Sequence, residues 1–194
     1  MIPILILAAG QSRRMRGADK LMQDVHGQPL LRKQIICASP IGPVFVALPN
    51  KNHPRHTALI GTTATDLNIP HSIEGIGGTL REAVSQLPPG PFMLLLADLI
   101  KLKTSDLQCV VDAMHEHKSH VIWRGATSDG KPGHPIIFAD TLRKEFANLR
   151  GDVGGENLVK PLRSQTYLHR FHDDRARFDL DTPEDWEAWR SLKT

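Results

Sequence analysis

Residues 5–20 read L-I-L-A-A-G-Q-S-R-R-M-R-G-A-D-K, so an apolar run passes directly into a turn of small residues and then into a basic segment. Ala8, Ala9 and Gly10 carry little or no side chain, which lets backbone N–H groups approach a ligand closely. Four cations follow the turn: Arg13, Arg14, Arg16 and Lys20. Their side chains could neutralise a polyphosphate. The stretch therefore predicts a buried first strand followed by a phosphate-binding loop.

The glycine spacing of this loop excludes two common phosphate-binding motifs. Gly10 and Gly17 fit neither the G-x-G-x-x-G pattern of dinucleotide-binding folds nor the G-x-x-x-x-G-K-[ST] pattern of P-loops. The loop must therefore belong to another kind of phosphate-binding fold.

Apolar runs and helical patterns alternate along the rest of the chain. The predicted strands are residues 2–7, 44–48, 92–97, 120–123 and 134–138. The predicted helices are residues 29–38, 79–87, 105–117, 141–149, 155–162 and 182–192. Such alternation predicts an α/β fold with a mostly parallel sheet, whose ligands lie outside the carboxyl ends of the strands. The loops after Leu7 and Ala97 should therefore face one site.

Length and composition indicate a single globular domain over residues 1–194. The chain has 194 residues, 40% of them hydrophobic, and a formal charge of +3 without a long basic run, so no nucleic-acid partner is predicted. Residues 2–9 are too short to cross a membrane and follow no basic residues, which predicts neither an anchor nor a secretory signal. Cys37 and Cys109 lie far apart in sequence, so we expect no disulfide framework and a cytoplasmic location.

Two acidic positions are candidate metal ligands. Asp98 directly follows the apolar run 92–97, where a carboxylate is costly unless it faces a cation or a donor. Mg²⁺ would be a suitable partner, although an aspartate at this position can also cap a helix. Residues 179–185 read D-L-D-T-P-E-D, and the Thr-Pro pair predicts a helix start with Asp181 or Thr182 as its cap.

The first loop resembles a specific signature, L-A-A-G-x-S-x-R-M-x-G-x-x-K. The matching residues are Leu7, Ala8, Ala9, Gly10, Ser12, Arg14, Met15, Gly17 and Lys20. The chain is identified as a member of the MobA-like NTP transferases, whose first loop wraps a nucleoside triphosphate. The resemblance implies that residues 7–10 contact the nucleotide and that Arg14 and Lys20 bind its phosphates. It also implies a three-layer α/β/α, Rossmann-like (GT-A-like) fold with a mostly parallel mixed sheet.

The same resemblance implies roles for the acidic residues. Asp98, together with Asp179 as the first residue of D-x-D-T-P-E-D, would bind Mg²⁺, with Mn²⁺ as an alternative. The family usually continues Asp-Met-Pro or Asp-Gln-Pro after the first of these positions, whereas this chain continues with Leu99 and Ile100.

Residues 74–81, E-G-I-G-G-T-L-R, are similar to a G-M-x-x-S-L-R element of the family that contacts the nucleotide. Taken alone, they predict a flexible turn with Thr79 as a helix N-cap. The resemblance implies that Gly78 and Thr79 contact the base or ribose.

Residues 130–138, G-K-P-G-H-P-I-I-F, form a rigid turn around one histidine. A structural histidine is one interpretation. The other follows from G-x-P-G-H-P-x-x-F, which resembles the molybdenum cofactor cytidylyltransferase branch and implies that Gly133 and His134 bind the acceptor, a pterin or its phosphate.

These resemblances together imply CMP transfer from CTP to molybdenum cofactor with release of pyrophosphate. The consecutive alanines Ala8 and Ala9 are similar to those of cytidine-using relatives, which favours CTP. A molybdoenzyme or its maturation chaperone is the expected partner. Two alternatives remain: transfer to a sugar phosphate or another small phosphorylated acceptor, and a non-catalytic carrier of molybdenum cofactor.

Overall fold

A central sheet of seven strands with helices on both sides organises the chain. The computed structural model describes residues 1–50 and 52–192. The strands are β1 (Ile4–Leu7), β2 (Val44–Leu48), β3 (Thr65–Asn68), β4 (Phe92–Leu96), β5 (Ile122–Ala126), β6 (Pro132–Phe138) and β7 (Thr166–Arg170). The α-helices are α1 (Leu30–Ala38), α2 (Ile76–Ser85), α3 (Thr104–Glu116), α4 (Arg143–Phe146), α5 (Glu156–Val159) and α6 (Pro183–Ser191).

The strand order is β3-β2-β1-β4-β6-β5-β7. β6 runs antiparallel to β4 and β5, whereas all other neighbours pair in parallel, which confirms the predicted mostly parallel mixed sheet. β1 lies between β2 and β4, with Leu5 opposite Phe45 on one side and Leu94 on the other. Central parallel strands are apolar on both faces because helices cover both faces.

Two hydrophobic clusters make up the core, one on each face of the sheet. Ile4 and Ile6 of β1 point to the first face, where Ile35 of α1, Leu107 of α3 and Trp186 of α6 join them. On the opposite face the cluster contains Leu5 of β1, Leu80 of α2, Phe146 of α4 and Val159 of α5. The predicted three-layer α/β/α arrangement is therefore confirmed. Among the described residues, no helix is both long and apolar enough to cross a membrane.

The sequence analysis missed two strands and misplaced several boundaries. β3 and β7 are polar edge strands that bury little of their side chains, so they lack the apolar run that marks the central strands. α2 begins at Ile76 with Gly75 as its N-cap, not at Thr79. The predicted helices 141–149 and 155–162 are each a single α-helical turn adjoining a 3₁₀ segment.

The segment after β4 departs from the family pattern but is firmly held. Leu99 and Ile100 are buried. Gln34 donates from Nε2 to the carbonyl oxygen of Leu99 at 2.7 Å, and Lys33 donates from Nζ to the carbonyl oxygen of Ile100 at 2.6 Å. The buried side chains of Leu99 and Ile100 and the hydrogen bonds to their carbonyl oxygens therefore anchor the segment that follows Asp98 on α1.

Candidate active site

A cavity of about 580 Å³ lies between the loop after β1 and the N-terminal turn of α2. Among the residues predicted from the sequence, its walls include Leu7, Ala9, Gly10, Arg14, Lys20, Thr79 and Asp98. Glu74, Gly75, Ile76, Asp152 and Asp181 also line it. The loops after β1 and β4 thus open into one cavity, as their positions at the carboxyl edge of the sheet require.

The backbone of the first loop divides into a part used by the sheet and a part that faces the cavity. Ala8 is buried, and its N–H donates to the carbonyl oxygen of Ala47 at 3.1 Å, which continues the pairing of β1 with β2. Ala9 and Gly10 follow and line the cavity. Ser12 and Arg16 then adopt left-handed backbone conformations, with φ of 48° and 51°. Such conformations in non-glycine residues are strained and need support from their surroundings.

Arg55 provides that support, and the sequence analysis missed it. Its side chain is 2% exposed. It donates to Asp19 from Nε (2.7 Å) and Nη2 (2.8 Å), to Ser12 Oγ at 3.2 Å, and to the carbonyl oxygen of Ala8. One guanidinium therefore ties the start, middle and end of the loop together.

The loop cations meet acidic residues at one end of the cavity. Lys20 donates from Nζ to Asp98 Oδ2 at 2.7 Å and to Asp181 Oδ1 at 2.6 Å, and Arg14 Nη1 lies 2.5 Å from Asp181 Oδ2. Burial lowers the pKa of Lys20, but the attraction of Asp98 and Asp181 outweighs it and raises the pKa overall. Lys20 therefore stays protonated among these carboxylates.

Three carboxylates form a group that could hold a metal ion. Asp98, Asp179 and Asp181 each place an oxygen within 4.8 Å of the others. Asp98 Oδ1 is buried and has no hydrogen-bond partner among the described residues. The pKa of Asp179 is raised, first by burial and then by its two acidic neighbours. A buried carboxylate oxygen without a donor and crowded carboxylates suit a hard divalent cation that prefers oxygen ligands.

Asp181 is the member of this group that the sequence analysis did not assign to the metal site. Thr182 rather than Asp181 caps α6, since its side chain accepts a hydrogen bond from the N–H of Asp185 at 3.2 Å. Asp181 turns instead toward Lys20 and Arg14. Its i, i+2 relation to Asp179 in an extended segment was the signal that could have revealed it.

The glycine-rich element at the start of α2 supplies the opposite wall of the cavity. Thr79 lines it and donates from Oγ1 to the carbonyl oxygen of Gly75 at 3.1 Å. Gly78 is buried within the first turn of α2. Gly77 donates from N–H to the carbonyl oxygen of Gly151 at 2.8 Å, so this wall is continuous with the segment that contains Asp152.

The predicted acceptor residues, Gly133 and His134, lie on β6, and each contacts a backbone carbonyl group of a neighbouring segment. His134 Nδ1 lies 3.3 Å from the carbonyl oxygen of Leu94 on β4. Gly133 packs so closely that a Cβ atom there would lie 2.2 Å from the carbonyl oxygen of Ala176. Burial lowers the pKa of His134 to about 4, and Arg124 contributes to the lowering.

The low pKa of His134 predicts a pH-dependent stability. Because the folded pKa is about 4 and the ordinary value 6.5, the unfolded chain takes up this proton first as the pH falls. We expect His134 to cost the folded state about 2–3 kcal/mol between pH 6.5 and pH 4. Urea unfolding at pH 7.5 and pH 5 should show a smaller loss of stability for His134→Gln than for the wild type.

The exposed His115 is the matched control, and His115→Gln should lose stability on acidification as the wild type does. Equal losses for His134→Gln and the wild type would contradict the assignment.

The match to a family model agrees with this geometry. Residues 4–168 match the model described as a MobA-like NTP transferase domain, which covers most of the chain. The chain belongs to this family. The resemblance drawn from the first loop is thereby confirmed for the family, and the chain is an NTP transferase domain with its loop, α2 and acidic group around one cavity.

A curated relative also matches part of the chain. The bifunctional protein GlmU of Burkholderia multivorans is 30% identical over 141 residues, which are 71% of this chain and 30% of that protein. The chain therefore spans less than a third of the length of this curated relative.

Three solved structures share the fold. Rv0371c of Mycobacterium tuberculosis H37Rv is 26% identical, with a TM-score of 0.79 over 100% of this chain and 98% of that one. A second structure of Rv0371c, in complex with manganese, is 24% identical with a TM-score of 0.72 over 100% and 98% of the chains. The CMP:2-keto-3-deoxy-manno-octonic acid synthetase complexed with CTP is 14% identical, with a TM-score of 0.72 over 100% and 98% of the chains. At these identities the last two likenesses concern the fold alone.

Proposed function

We propose that this NTP transferase transfers CMP from CTP to molybdenum cofactor and releases pyrophosphate. The observation that carries the proposal is the meeting of Arg14 and Lys20 with Asp98 and Asp181 at one end of the cavity. Cations on a loop suited to phosphates, next to carboxylates suited to a metal, are what transfer of a nucleotidyl group requires.

The proposed reaction is an in-line displacement at the α-phosphorus of CTP. A phosphate oxygen of the acceptor forms the new P–O bond, and the bond to the β-phosphate breaks, so that pyrophosphate leaves with the electron pair. Arg14 and Lys20 neutralise the charge that develops on the leaving group. The loop between them holds the triphosphate in position, so no covalent nucleophile from the protein is needed.

We assign Asp98, Asp179 and Asp181 as ligands for Mg²⁺, with Mn²⁺ as an alternative. Two observations support the fit: the unpartnered Oδ1 of Asp98 and the spacing of the three carboxylates. The manganese complex of Rv0371c concerns a protein of the same fold. When bound, such an ion would withdraw charge from the phosphates.

The choice of CTP rests on the first loop. Ala9 lines the cavity and, like Ala8, is similar to the alanines of cytidine-using relatives. A protein of the same fold, the synthetase complexed with CTP, is consistent with this choice. On the opposite wall, Thr79 offers a hydroxyl to the base or ribose, and the resemblance assigns the adjacent Gly78, buried in α2, to the same contact.

The assignment of Ala9 predicts a change in base preference. In Ala9→Gly, added backbone freedom and the lost methyl group should weaken the preference for CTP over GTP, by about threefold to tenfold. The measurement is kcat/KM for each triphosphate. An unchanged ratio would mean that another part of the cavity selects the base.

The acceptor is proposed from Gly133 and His134 in the turn that resembles the molybdenum cofactor branch. A molybdoenzyme or its maturation chaperone would receive the product. A cytoplasmic location fits the two cysteines, which are both free. The main alternative is a sugar phosphate or another small phosphorylated acceptor on the same donor site.

One experiment separates these proposals. Each of the four nucleoside triphosphates would be incubated with Mg²⁺ and one acceptor at a time: molybdenum cofactor, a hexose 1-phosphate or methylerythritol phosphate. We expect pyrophosphate release only with CTP and molybdenum cofactor. Release with a different acceptor overturns the acceptor assignment, and tight binding of the cofactor without release supports a carrier.

A further inference from the structure

A second cleft, of about 730 Å³, lies outside the nucleotide cavity between the β5–β7 edge of the sheet and the segment around α5. We call it the arginine cleft, because Arg124, Arg163 and Arg177 line it. Pro132 at the start of β6, Glu156 and Val159 of α5, and Thr166 and Leu168 of β7 also line it. None of the described residues that line it lines the nucleotide cavity.

The charges in the arginine cleft are unbalanced. Three guanidinium groups face one carboxylate, that of Glu156, among the described lining residues. Arg124 is 4% exposed and donates to Glu156 Oε2 at 3.0 Å, but that carboxylate is itself 63% exposed. Burial lowers the pKa of Arg124, and the nearby Arg177 adds to the lowering. Arg163 and Arg177 are exposed, whereas Arg124 is buried and, among the lining residues, has the exposed Glu156 as its charge partner. A buried cation is costly unless an anion joins it.

Two of the three arginines, Arg124 and Arg177, are also held in position before any ligand arrives. Arg124 donates from Nε to the carbonyl oxygen of Gly133 at 3.0 Å, and Arg177 donates from Nη1 to the carbonyl oxygen of Pro132 at 2.8 Å. Both bonds go to the turn that leads into His134. A fixed guanidinium loses little freedom on binding and can offer paired N–H donors to an oxyanion.

His134 lies between this cleft and the nucleotide site. Its Nδ1 is 3.3 Å from the carbonyl oxygen of Leu94 on β4, the strand that precedes Asp98, and the adjacent Gly133 accepts the hydrogen bond from Arg124. An acceptor held along the His134 turn could therefore place one end near the carboxylate group and the other end at the arginines.

We propose that the arginine cleft binds a compact oxyanion carried by the acceptor, at the end remote from the attacking phosphate. That the acceptor carries this oxyanion rests on the proposed function. The chemistry that the arginines recognise is a group with several negative oxygens, which a free inorganic oxyanion also provides. The test must therefore separate these two sources.

The first arm measures anion binding without catalysis. Inorganic phosphate would be titrated by calorimetry into the full chain saturated with CTP and Mg²⁺, so that the nucleotide site is filled. We expect one bound phosphate, whose affinity falls about tenfold in Arg163→Gln and in Arg177→Gln. Lys144→Gln on α4 removes the same charge from an exposed position and should bind as the wild type does. Unchanged binding in both arginine variants overturns the proposal.

The second arm identifies the source of the anion. If the acceptor carries it, the KM for molybdenum cofactor should rise about tenfold in Arg163→Gln, while kcat and the KM for CTP stay unchanged. Weaker phosphate binding with an unchanged acceptor KM overturns the assignment to the acceptor. If the wild type releases no pyrophosphate with any acceptor, the proposed function fails, and the first arm still decides whether the cleft is an anion site.

Discussion

Asp98→Asn should reduce pyrophosphate release from CTP by about 10²–10³-fold, with the chain still folded. The amide keeps the shape of the side chain but removes the charge that faces Lys20 at 2.7 Å and that would hold a metal ion. In the wild type, Asp98 Oδ1 is buried and has no hydrogen-bond partner among the described residues. That position is unfavourable for a carboxylate oxygen unless a cation binds to it. The measurement is the rate of pyrophosphate release at saturating CTP and Mg²⁺.

A second readout distinguishes a functional loss from a folding defect. Binding of Mn²⁺, measured by calorimetry, should weaken at least tenfold in Asp98→Asn, because one of three carboxylates is lost. The matched control is Asp174→Asn, which breaks the exposed ion pair with Lys101 and should change neither quantity. Activity within threefold of the wild type would show that Asp98 is not part of the catalytic machinery.

The sequence predicts the centre of this molecule better than its edges, for a physical reason. Strands covered on both faces must be apolar throughout, so β1 and β4 and the polar residues that follow them are visible as abrupt changes in composition. β3 reads T-D-L-N and buries mainly Leu67, so nothing in its local pattern separates it from a loop. β7 is similarly half-exposed, and only its pairing with β5 makes it a strand.

The candidate site shows the same division. Arg14, Lys20 and Asp98 follow from one contiguous motif and one buried strand. Asp181 and Arg55 do not, because their roles depend on where distant segments meet. Asp181 contacts a lysine 161 positions earlier in the chain, and Arg55 contacts Asp19 across 36 positions. Periodicity and spacing carry no information at that range, so Asp181 could have been found only through its i, i+2 relation to Asp179.

Arg55 is for this reason the residue whose replacement tests the structure most directly. Arg55→Met should destabilise the chain by about 3–5 kcal/mol, because it leaves Asp19 without its buried partner. It also removes the donors that hold Ser12 Oγ and the carbonyl oxygen of Ala8. Arg55→Lys keeps the charge but cannot make the forked contact, so we expect a milder loss of stability and a KM for CTP raised about tenfold. Urea unfolding and steady-state kinetics measure the two effects.

A matched control separates support of the loop from stability in general. Arg175 is also a buried arginine, and its guanidinium binds Asp106 at the start of α3 and Asp173 rather than the loop. Arg175→Met should therefore destabilise the chain to a similar degree while leaving the KM for CTP unchanged in the folded fraction. If both methionine variants raise that KM equally, the loss of nucleotide affinity reflects general loosening. If only the Arg55 variants do, the first loop binds CTP because this one buried guanidinium holds it in place.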